Sequence, residues 1–223
     1  VKVDHEFMRA VVNNTTYKQT YPIYSDNPSV VKEIDARRLW KKIIHNAWSS
    51  AEPGVIFWDT VIDESVPDSY SDEGFNTVST NPCGEIPLCP YDSCRLLAIN
   101  LFGYVQNPFT KEAYFDFELF KKHAAMAQRI MDDIVDLEIE KVDAILDKII
   151  NDPEDEETKR IEKQLWQKIK EKSKQGRRTG IGITAEGDML AALNLRYGSE
   201  NAIDFSEEIH KTIAVEAYRS STR

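Results

Sequence analysis

The sequence predicts an α/β fold with a largely parallel sheet. Several long segments carry apolar residues at three- and four-residue steps, which predicts amphipathic helices. Short apolar runs that lack this spacing stand between them and predict buried strands. Strands and helices therefore alternate along the chain, and this order favours a parallel sheet because each intervening helix supplies a crossover between neighbouring strands.

The bulk composition is that of a globular protein without a membrane span. The 223 residues are 41% hydrophobic and 30% charged, with a formal net charge of −10. This charge argues against nucleic-acid binding by general phosphate neutralisation. No apolar run approaches the ~20 residues that a membrane-spanning helix needs, and no basic and apolar leader is visible at the start. We therefore expect a cytoplasmic protein with no nucleic-acid or membrane partner.

The first elements along the chain are short. Residues 1–3 alternate as a strand, and Asp4 is placed to cap a helix over residues 6–13. Residues 15–28 are rich in Thr, Tyr, Pro and Asn, which is typical of irregular structure or short strands.

Residues 29–50 are predicted to form one amphipathic helix that ends at Pro53 and Gly54. Residues 55–58 then predict a short buried strand, and the polar residues 63–79 predict a loop. The apolar stripe of the helix consists of Ile34, Leu39, Trp40, Ile43, Ala47 and Trp48.

The middle of the chain predicts a strand followed by a very long helical segment. Residues 96–105 have few polar breaks and predict a fully buried strand. Residues 116–151 keep near-helical spacing for about nine turns. A segment of this length predicts either a kink near residues 136–139 or two helices in series.

The last third predicts a helix, a strand and two further helices. Asp152 is the predicted N-cap of the helix that begins at the following proline. Residues 176–184 contain three glycines, but no Lys-Ser or Lys-Thr pair completes a phosphate-binding loop, so a glycine-bearing strand is favoured. A helix over residues 185–195 follows, and Asp204 is the predicted cap of a final helix over residues 205–219.

Charged and metal-ligating residues give little sign of a metal site. Asp132, Asp133 and Asp136 are expected to fan around their helix as a solvated face, and the basic run at residues 170–178 is expected to be a solvated helix end. The cysteine spacing C-x5-C-x4-C matches no common zinc pattern. The histidines are scattered along the chain, at His5, His45, His123 and His210.

Residues 80–94 form the segment with the most candidate catalytic side chains. Asn81, Cys83 and Glu85 alternate, so an extended backbone would point an amide, a thiol and a carboxylate toward one face. Prolines on either side stiffen the backbone, and the glycine between Cys83 and Glu85 permits close approach of a ligand. A second thiol, Cys94, precedes the apolar run that follows.

These residues resemble the catalytic loop of ribonucleotide reductase large chains, most closely those of the adenosylcobalamin-dependent class II branch. The motif Asn-Pro-Cys-Gly-Glu is followed by a second cysteine and by Ile-Asn-Leu. Other segments resemble the same family in the same order: Val-Lys-Val-Asp-His-Glu-Phe-Met at the start, Glu-Pro-Gly before Val-Ile-Phe-Trp-Asp, and Arg-Arg-Thr-Gly-Ile-Gly-Ile near residue 180.

The resemblance implies part of a ten-stranded α/β barrel with long helices. About four strands can be placed in this sequence, which is too few to close such a barrel. Residues 1–223 are therefore expected to be the central portion of the catalytic barrel domain, cut at both ends, with the active-site loop at residues 80–94.

The resemblance also implies the roles of four residues in reducing a ribonucleotide to a deoxyribonucleotide. Cys83 would carry the transient thiyl radical, and Glu85 would act as general base. Asn81 would orient the substrate. Cys94 would be the second member of the reducing thiol pair, whose first member is expected upstream of this chain. Cys89 has no role that the resemblance assigns.

The cofactor and partners follow from the same resemblance. Adenosylcobalamin would be the cofactor, a ribonucleoside di- or triphosphate the substrate, and a thioredoxin-like or glutaredoxin-like protein the reductant. The resemblance also allows a homodimer. Because the first redox thiol is expected outside this chain, the chain alone is expected to be inactive.

Three alternatives remain open from the sequence. One is a class I large subunit that takes its radical from a partner subunit, although Pro82 and Gly84 favour class II. Another is a non-catalytic, helix-rich interaction module. The third is a plain disulfide between Cys94 and either Cys83 or Cys89, which requires Cα atoms within roughly 7 Å.

Overall fold

A computed structural model describes residues 1–23 and 25–223, so the expectation for Tyr24 lies outside the described residues. The chain divides into two compact units, Val1–Pro90 and Tyr91–Arg223. The described part is mixed α/β, with ten short strands and seven α-helices. Its strands form five two-stranded sheets, of which two are parallel: Lys2–Val3 with Ile56–Phe57, and Leu96–Asn100 with Gly180–Thr184. The α/β prediction is therefore confirmed, whereas the sheet is less parallel than expected.

The first unit opens with strand β1 (Lys2–Val3) and helix α1 (His5–Asn13). Asp4 caps α1 by accepting a 2.6 Å hydrogen bond from the Phe7 backbone N–H, as predicted. The helix buries Phe7 against neighbouring apolar residues of this unit.

The prediction of one helix over residues 29–50 is wrong at its start, because residues 30–35 form a strand. Strand β3 (Val30–Asp35) pairs antiparallel with β2 (Thr16–Tyr21), and helix α2 (Ala36–Ser50) begins only after it. The adjacent valines at the start of β3 favour an extended backbone. Asp35 then ends the strand and caps α2, accepting a 2.8 Å hydrogen bond from the Arg38 N–H.

The segment after α2 is more helical than predicted. Strand β4 (Ile56–Phe57) lies parallel to β1 but is only two residues long, because helix α3 (Trp58–Glu64) begins at once. A 3-10 helical segment (Val66–Glu73), with an irregular residue inside it, occupies the predicted loop. Asp68 organises this segment by accepting a 2.8 Å hydrogen bond from the Thr77 N–H.

In the second unit, strand β7 (Leu96–Asn100) pairs in parallel with β10 (Gly180–Thr184). The expected strand over residues 96–105 ends early because the Asn100 side chain accepts a 3.1 Å hydrogen bond from the Phe102 N–H and starts a 3-10 turn. The prediction of full burial is also wrong, since Leu96 is 60% exposed.

A small antiparallel pair follows the 3-10 turn. Strand β8 (Val105–Gln106) pairs with β9 (Tyr114–Phe115). Tyr104 and Phe120 lie on either side of this pair in sequence, and their rings meet edge-on with centroids 5.0 Å apart.

Helix α4 (Phe117–Asn151) runs for 35 residues as one continuous helix. The predicted kink near residues 136–139, and the alternative of two helices, are both wrong. Kinks normally need a proline, a glycine or an inserted group, and the α4 sequence contains neither proline nor glycine.

Two of the last three helices begin at caps other than those predicted. Helix α5 (Glu156–Gly176) is capped by Asp155, whose carboxylate accepts two backbone N–H bonds, whereas Asp152 follows the end of α4. Helix α6 (Glu186–Ala192) is short. Ser199, not Asp204, caps helix α7 (Glu200–Ser221). In each case another cap-forming residue, close to the predicted one in sequence, takes the position.

The core of the second unit lies between the helices and one side of β7 and β10. Phe120, Met189 and Ile209 are completely buried there, and Ile181 and Ile183 pack against them. Within residues 1–23 and 25–223, none of the helices has the length and hydrophobicity of a transmembrane span.

Candidate active site

The loop with the predicted catalytic residues is the tip of a hairpin. Strand β5 (Ser79–Thr80) pairs antiparallel with β6 (Pro87–Leu88), and residues 81–86 connect them. The expectation that residues 80–85 run extended is wrong. Pro82 and Gly84 instead occupy turn positions: the Gly84 N–H donates a 3.1 Å hydrogen bond to the Asn81 carbonyl, and Gly84 has a φ of +86°. A proline inside the turn and a glycine at its end favour this geometry.

The turn changes the relationship among the three predicted residues. Asn81, Cys83 and Glu85 lie on one tight loop rather than along one face of a strand. Cys83 and Glu85 are exposed, and Asn81 is half-buried. A thiol and a carboxylate are thus presented at the surface two residues apart.

Asn81 closes this loop. Its backbone N–H donates to the Ile86 carbonyl at 3.2 Å, and its Oδ1 accepts a hydrogen bond from the Ile86 N–H at 3.0 Å. These contacts do not use the Nδ2 amide group, which carries two donor hydrogens. Asn81 therefore has a structural role that the sequence did not reveal.

Two contacts from strands β1 and β4 support the hairpin. At its base, Lys2 Nζ donates a 2.6 Å hydrogen bond to the Val78 carbonyl and lies 3.5 Å from the centre of the Trp58 ring. Burial lowers the pKa of Lys2. At its tip, a Cβ on Gly84 would lie 3.6 Å from Ile56 Cδ1. The turn that carries Cys83 is therefore packed on neighbouring structure in its own unit.

Cys94 belongs to the second unit, immediately before β7. Its side chain is exposed. It lies between Asp92 and Arg95, whose side chains are only 8% and 4% exposed and are both ion-paired. Asn81, Cys83 and Glu85 belong to the first unit. The chemical roles of all four residues remain predictions.

Cys89 is buried, with 4% exposure. None of the three cysteines is joined in a disulfide in the described part of the chain. No group of three or more His, Cys, Asp and Glu side chains within residues 1–23 and 25–223 is placed to hold a metal ion.

Two ionic networks in the second unit correct the sequence interpretation. Asp132 and Asp136 do not fan apart: Arg177 donates to their carboxylates at 2.7 and 2.8 Å. Their spacing of four residues places both on one helix face, which was a signal against fanning but did not identify Arg177 as the partner. The basic run that ends at Arg178 is likewise not merely solvated, because Arg178 pairs with Asp92 at 2.8 Å. Arg95 and its partner Glu138 carried no signal in the sequence.

The arrangement at the hairpin tip permits a defined chemistry. A cysteine sulfur can lose a hydrogen atom or, as thiolate, act as nucleophile. A carboxylate two residues away can accept a proton, and the amide hydrogens of Asn81 can bind hydroxyl oxygens.

The family model and the relatives that match this chain are all ribonucleotide reductases by name. The family model described as "Ribonucleotide reductase, barrel domain" matches residues 3–223. A vitamin B12-dependent ribonucleoside-diphosphate reductase of Thermoplasma acidophilum is 31% identical over 192 residues, which are 86% of this chain and 21% of that protein. A protein of the same name from Mycobacterium tuberculosis is 27% identical over 224 residues, covering 100% of this chain and 27% of its own length.

Among solved structures, this chain is similar to the Actinobacillus ureae class Id ribonucleotide reductase alpha subunit. The TM-score is 0.65 at 18% sequence identity, over 99% of this chain and 34% of that one. At this identity the likeness concerns the fold. The chain spans about a fifth to a quarter of the length of the two relatives described above.

Proposed function

Because the chain belongs to the ribonucleotide reductase barrel-domain family, we propose that it forms part of an enzyme that reduces ribonucleotides to deoxyribonucleotides by thiyl-radical chemistry. The observation that carries this proposal is Cys83, an exposed thiol on a packed turn that also bears Asn81 and Glu85.

We propose that residues 1–223 are the central portion of a ten-stranded α/β barrel domain. The parallel pairs β1–β4 and β7–β10 support this proposal, because parallel strands joined by helical connections are the units of such barrels. The active-site loop would be residues 80–94.

The reaction needs a radical because no ordinary acid or base makes the C2′ carbon electrophilic enough to lose its hydroxyl. In the proposed mechanism Cys83 Sγ, as a thiyl, takes the hydrogen atom from C3′. Glu85 accepts the proton of the 3′-hydroxyl, and the Asn81 amide holds the sugar hydroxyls in place. The 2′-hydroxyl takes one of the two protons that the reducing thiol pair gives up and leaves as water.

The reduction must also supply two electrons. Two thiols give up two electrons and two protons and form a disulfide, while the ribonucleotide becomes a deoxyribonucleotide and water. The hydrogen atom then returns from Cys83 to C3′, which restores the thiyl. Cys94 is the proposed second member of the thiol pair, and its partner thiol is not assigned to this chain. The chain alone is therefore expected not to turn over.

The proposed reductant of that disulfide is a thioredoxin-like or glutaredoxin-like protein. Reduced cysteines are needed for each cycle, so the expected compartment is the cytoplasm. The relatives described above are named ribonucleoside-diphosphate reductases, which favours a diphosphate substrate over a triphosphate. A homodimer is the assembly that the resemblance allows.

The proposed cofactor is adenosylcobalamin. The names of both relatives include vitamin B12 dependence, and the thiol at position 83 is exposed, so it is open to a large group. When bound, adenosylcobalamin supplies the radical that oxidises a thiol. This chain contributes the thiol, and the packed hairpin fixes its place.

The proposal is tested with the full-length protein that carries this chain. Purified protein is given a ribonucleoside diphosphate and a dithiol, with and without adenosylcobalamin. Deoxyribonucleotide is expected only with the cofactor. A parallel reaction contains a radical-generating partner subunit in place of adenosylcobalamin. Deoxyribonucleotide formation in that reaction alone would instead identify a class I enzyme. Absence of product under both conditions would overturn the assignment.

A further inference from the structure

Arg95, the residue after Cys94, is the most completely bonded charged side chain around β7. It is 4% exposed, and it forms a two-pronged ion pair with Glu138 of α4, with Nη2 to Oε1 at 2.8 Å and Nε to Oε2. Nη2 also donates to Ser173 Oγ of α5 at 3.0 Å, and Nη1 donates to the Arg178 carbonyl at 2.9 Å. All three guanidinium nitrogens are therefore engaged.

A second ion pair fixes the chain on the other side of Cys94. Asp92 is 8% exposed, and its Oδ2 accepts a 2.8 Å hydrogen bond from Arg178 Nη1. The backbone takes part as well, because the Gly180 N–H donates a 2.9 Å hydrogen bond to the Arg95 carbonyl. Residues 92 and 95 are thus both anchored, and Cys94 lies between two fixed points.

Burial of the Arg95 guanidinium costs free energy unless all of its hydrogen-bond and ion-pair partners are present. A buried guanidinium without its partners pays a large desolvation penalty, and breaking such a pair by removing one member is strongly destabilising. Ser173 adds to the closure, since its hydroxyl donates to Glu138 Oε1 at 3.2 Å while accepting from Arg95. Such a network allows few alternative arrangements of the backbone it holds.

The Arg95 network is not the only polar connection between the described parts of helices α4 and α5. Helices α4 and α5 are already joined by a separate ion pair, between Lys170 and Asp143. That pair lies on the same two helices but does not contact residues 92–95. The distinctive feature of the Arg95 network is that it ties both helices to the segment that carries Cys94.

We propose that Arg95 is a positioning residue that holds Cys94 for dithiol chemistry by anchoring its backbone to α4 and α5. This inference rests on the proposed function of Cys94 as a redox thiol. Arg95 acts through the chain and does not itself react. Cyclic oxidation and reduction of a dithiol depends on how well the two sulfurs are held at bonding distance, and an anchored backbone raises the effective concentration of one sulfur near the other.

The test measures the redox equilibrium of Cys94 in the full-length protein. The protein is equilibrated with dithiothreitol buffers of graded potential, and its Cys94 disulfide is quantified by mass spectrometry. Arg95→Met is expected to make the disulfide about tenfold easier to reduce, a shift of about 30 mV. The KM for the nucleotide should stay unchanged while kcat falls.

Lys170→Met is the matched control, because it removes an α4–α5 ion pair that does not touch residues 92–95. It should leave both the redox equilibrium and kcat unchanged. Asp92→Asn is a second variant that keeps side-chain volume, and it should shift the equilibrium in the same direction by a smaller factor. It serves as the test if Arg95→Met does not fold.

The outcomes separate the two proposals. An unchanged redox equilibrium in both Arg95→Met and Asp92→Asn, or an equal shift in Lys170→Met, would overturn the positioning role. If the unsubstituted protein forms no disulfide at Cys94 during turnover, the proposed function of Cys94 fails, and the positioning role fails with it. A shifted equilibrium with unchanged KM supports both.

Discussion

Asn81 Oδ1 accepts a 3.0 Å hydrogen bond from the backbone N–H of Ile86, and this bond closes the loop on which Cys83 lies. The side chain with a proposed role toward the substrate therefore also shapes the turn that presents the thiol. The amide oxygen stabilises the loop by accepting this hydrogen bond. The other half, Nδ2, is available for a ligand.

Asn81→Asp separates these two roles. The carboxylate retains an acceptor for the Ile86 N–H but lacks the two amide donors, so the loop should persist while substrate orientation is lost. We expect the unfolding free energy to change little and kcat of the full-length protein to fall at least about tenfold, which is ~1.4 kcal/mol of barrier. Urea unfolding and steady-state kinetics measure the two quantities.

Asn81→Ala is the companion variant, because it removes the acceptor as well. It should lower the unfolding free energy by about 1 kcal/mol, the typical net value of one hydrogen bond. An Asn81→Asp variant with normal kcat would show that the amide donors do not act on substrate.

Gly180→Ala should destabilise the second unit. A Cβ at this position would lie 2.7 Å from Cδ2 of the exposed Leu96 side chain, which can turn aside, and 3.1 Å from the Arg95 carbonyl oxygen, which would have to shift slightly. Overpacking typically costs about 1–3 kcal/mol, and a shift this small should cost about 1 kcal/mol. Gly182→Ala, on the same strand, is the control: its Cβ would meet only the Leu97 carbonyl, at 4.0 Å. Urea unfolding that gave equal losses for both variants would contradict this geometry.

The contact between Arg177 and Asp132 predicts a pH dependence of stability. The Arg177 hydrogen bond holds the pKa of the Asp132 carboxyl below its ordinary value near 3.8. A carboxyl whose pKa is depressed by folding stabilises the folded state above its unfolded pKa, and this contribution is lost as the pH falls through the folded value. Asp132→Asn should therefore be less stable than the parent protein at pH 7, and the difference should shrink below about pH 4.

The magnitude at pH 7 should be about 1 kcal/mol or less, because both side chains are partly exposed and the pair is screened. Asp133→Asn is the control: its partner Arg129 is four residues earlier on the same exposed helix face, so its effect should stay below about 0.5 kcal/mol. Urea unfolding at several pH values gives both curves. A difference for Asp132→Asn that does not shrink in acid would contradict the assignment.

Local signals in the sequence predicted most of the helices but misplaced the starts of α2, α5 and α7. The apolar spacing of α4 was strong enough to identify the helix, and the absence of proline and glycine was the signal that it is continuous. The start of α2 was misplaced because the apolar residues between positions 29 and 35 fit both the helical repeat and the alternation of a strand. Pairing with β2, which ends nine residues before β3 begins, decides in favour of a strand.

The candidate site shows the same limit. The residue types at positions 81, 83 and 85 marked the loop correctly, but the alternating pattern suggested a strand where Pro82 and Gly84 make a turn. The partners of Arg95 are 43, 78 and 83 residues away in sequence. Contacts at such separations are set by how helices and strands pack, and no local pattern predicts them.

The most direct test of the account is deoxyribonucleotide formation by the full-length protein with Cys83→Ala. Adenosylcobalamin, a ribonucleoside diphosphate and a dithiol are supplied, and Cys89→Ala, verified as folded, serves as the matched cysteine control. The account predicts no detectable product with Cys83→Ala and retained turnover with Cys89→Ala. Turnover by Cys83→Ala at the rate of the unsubstituted protein would contradict a radical role for this sulfur.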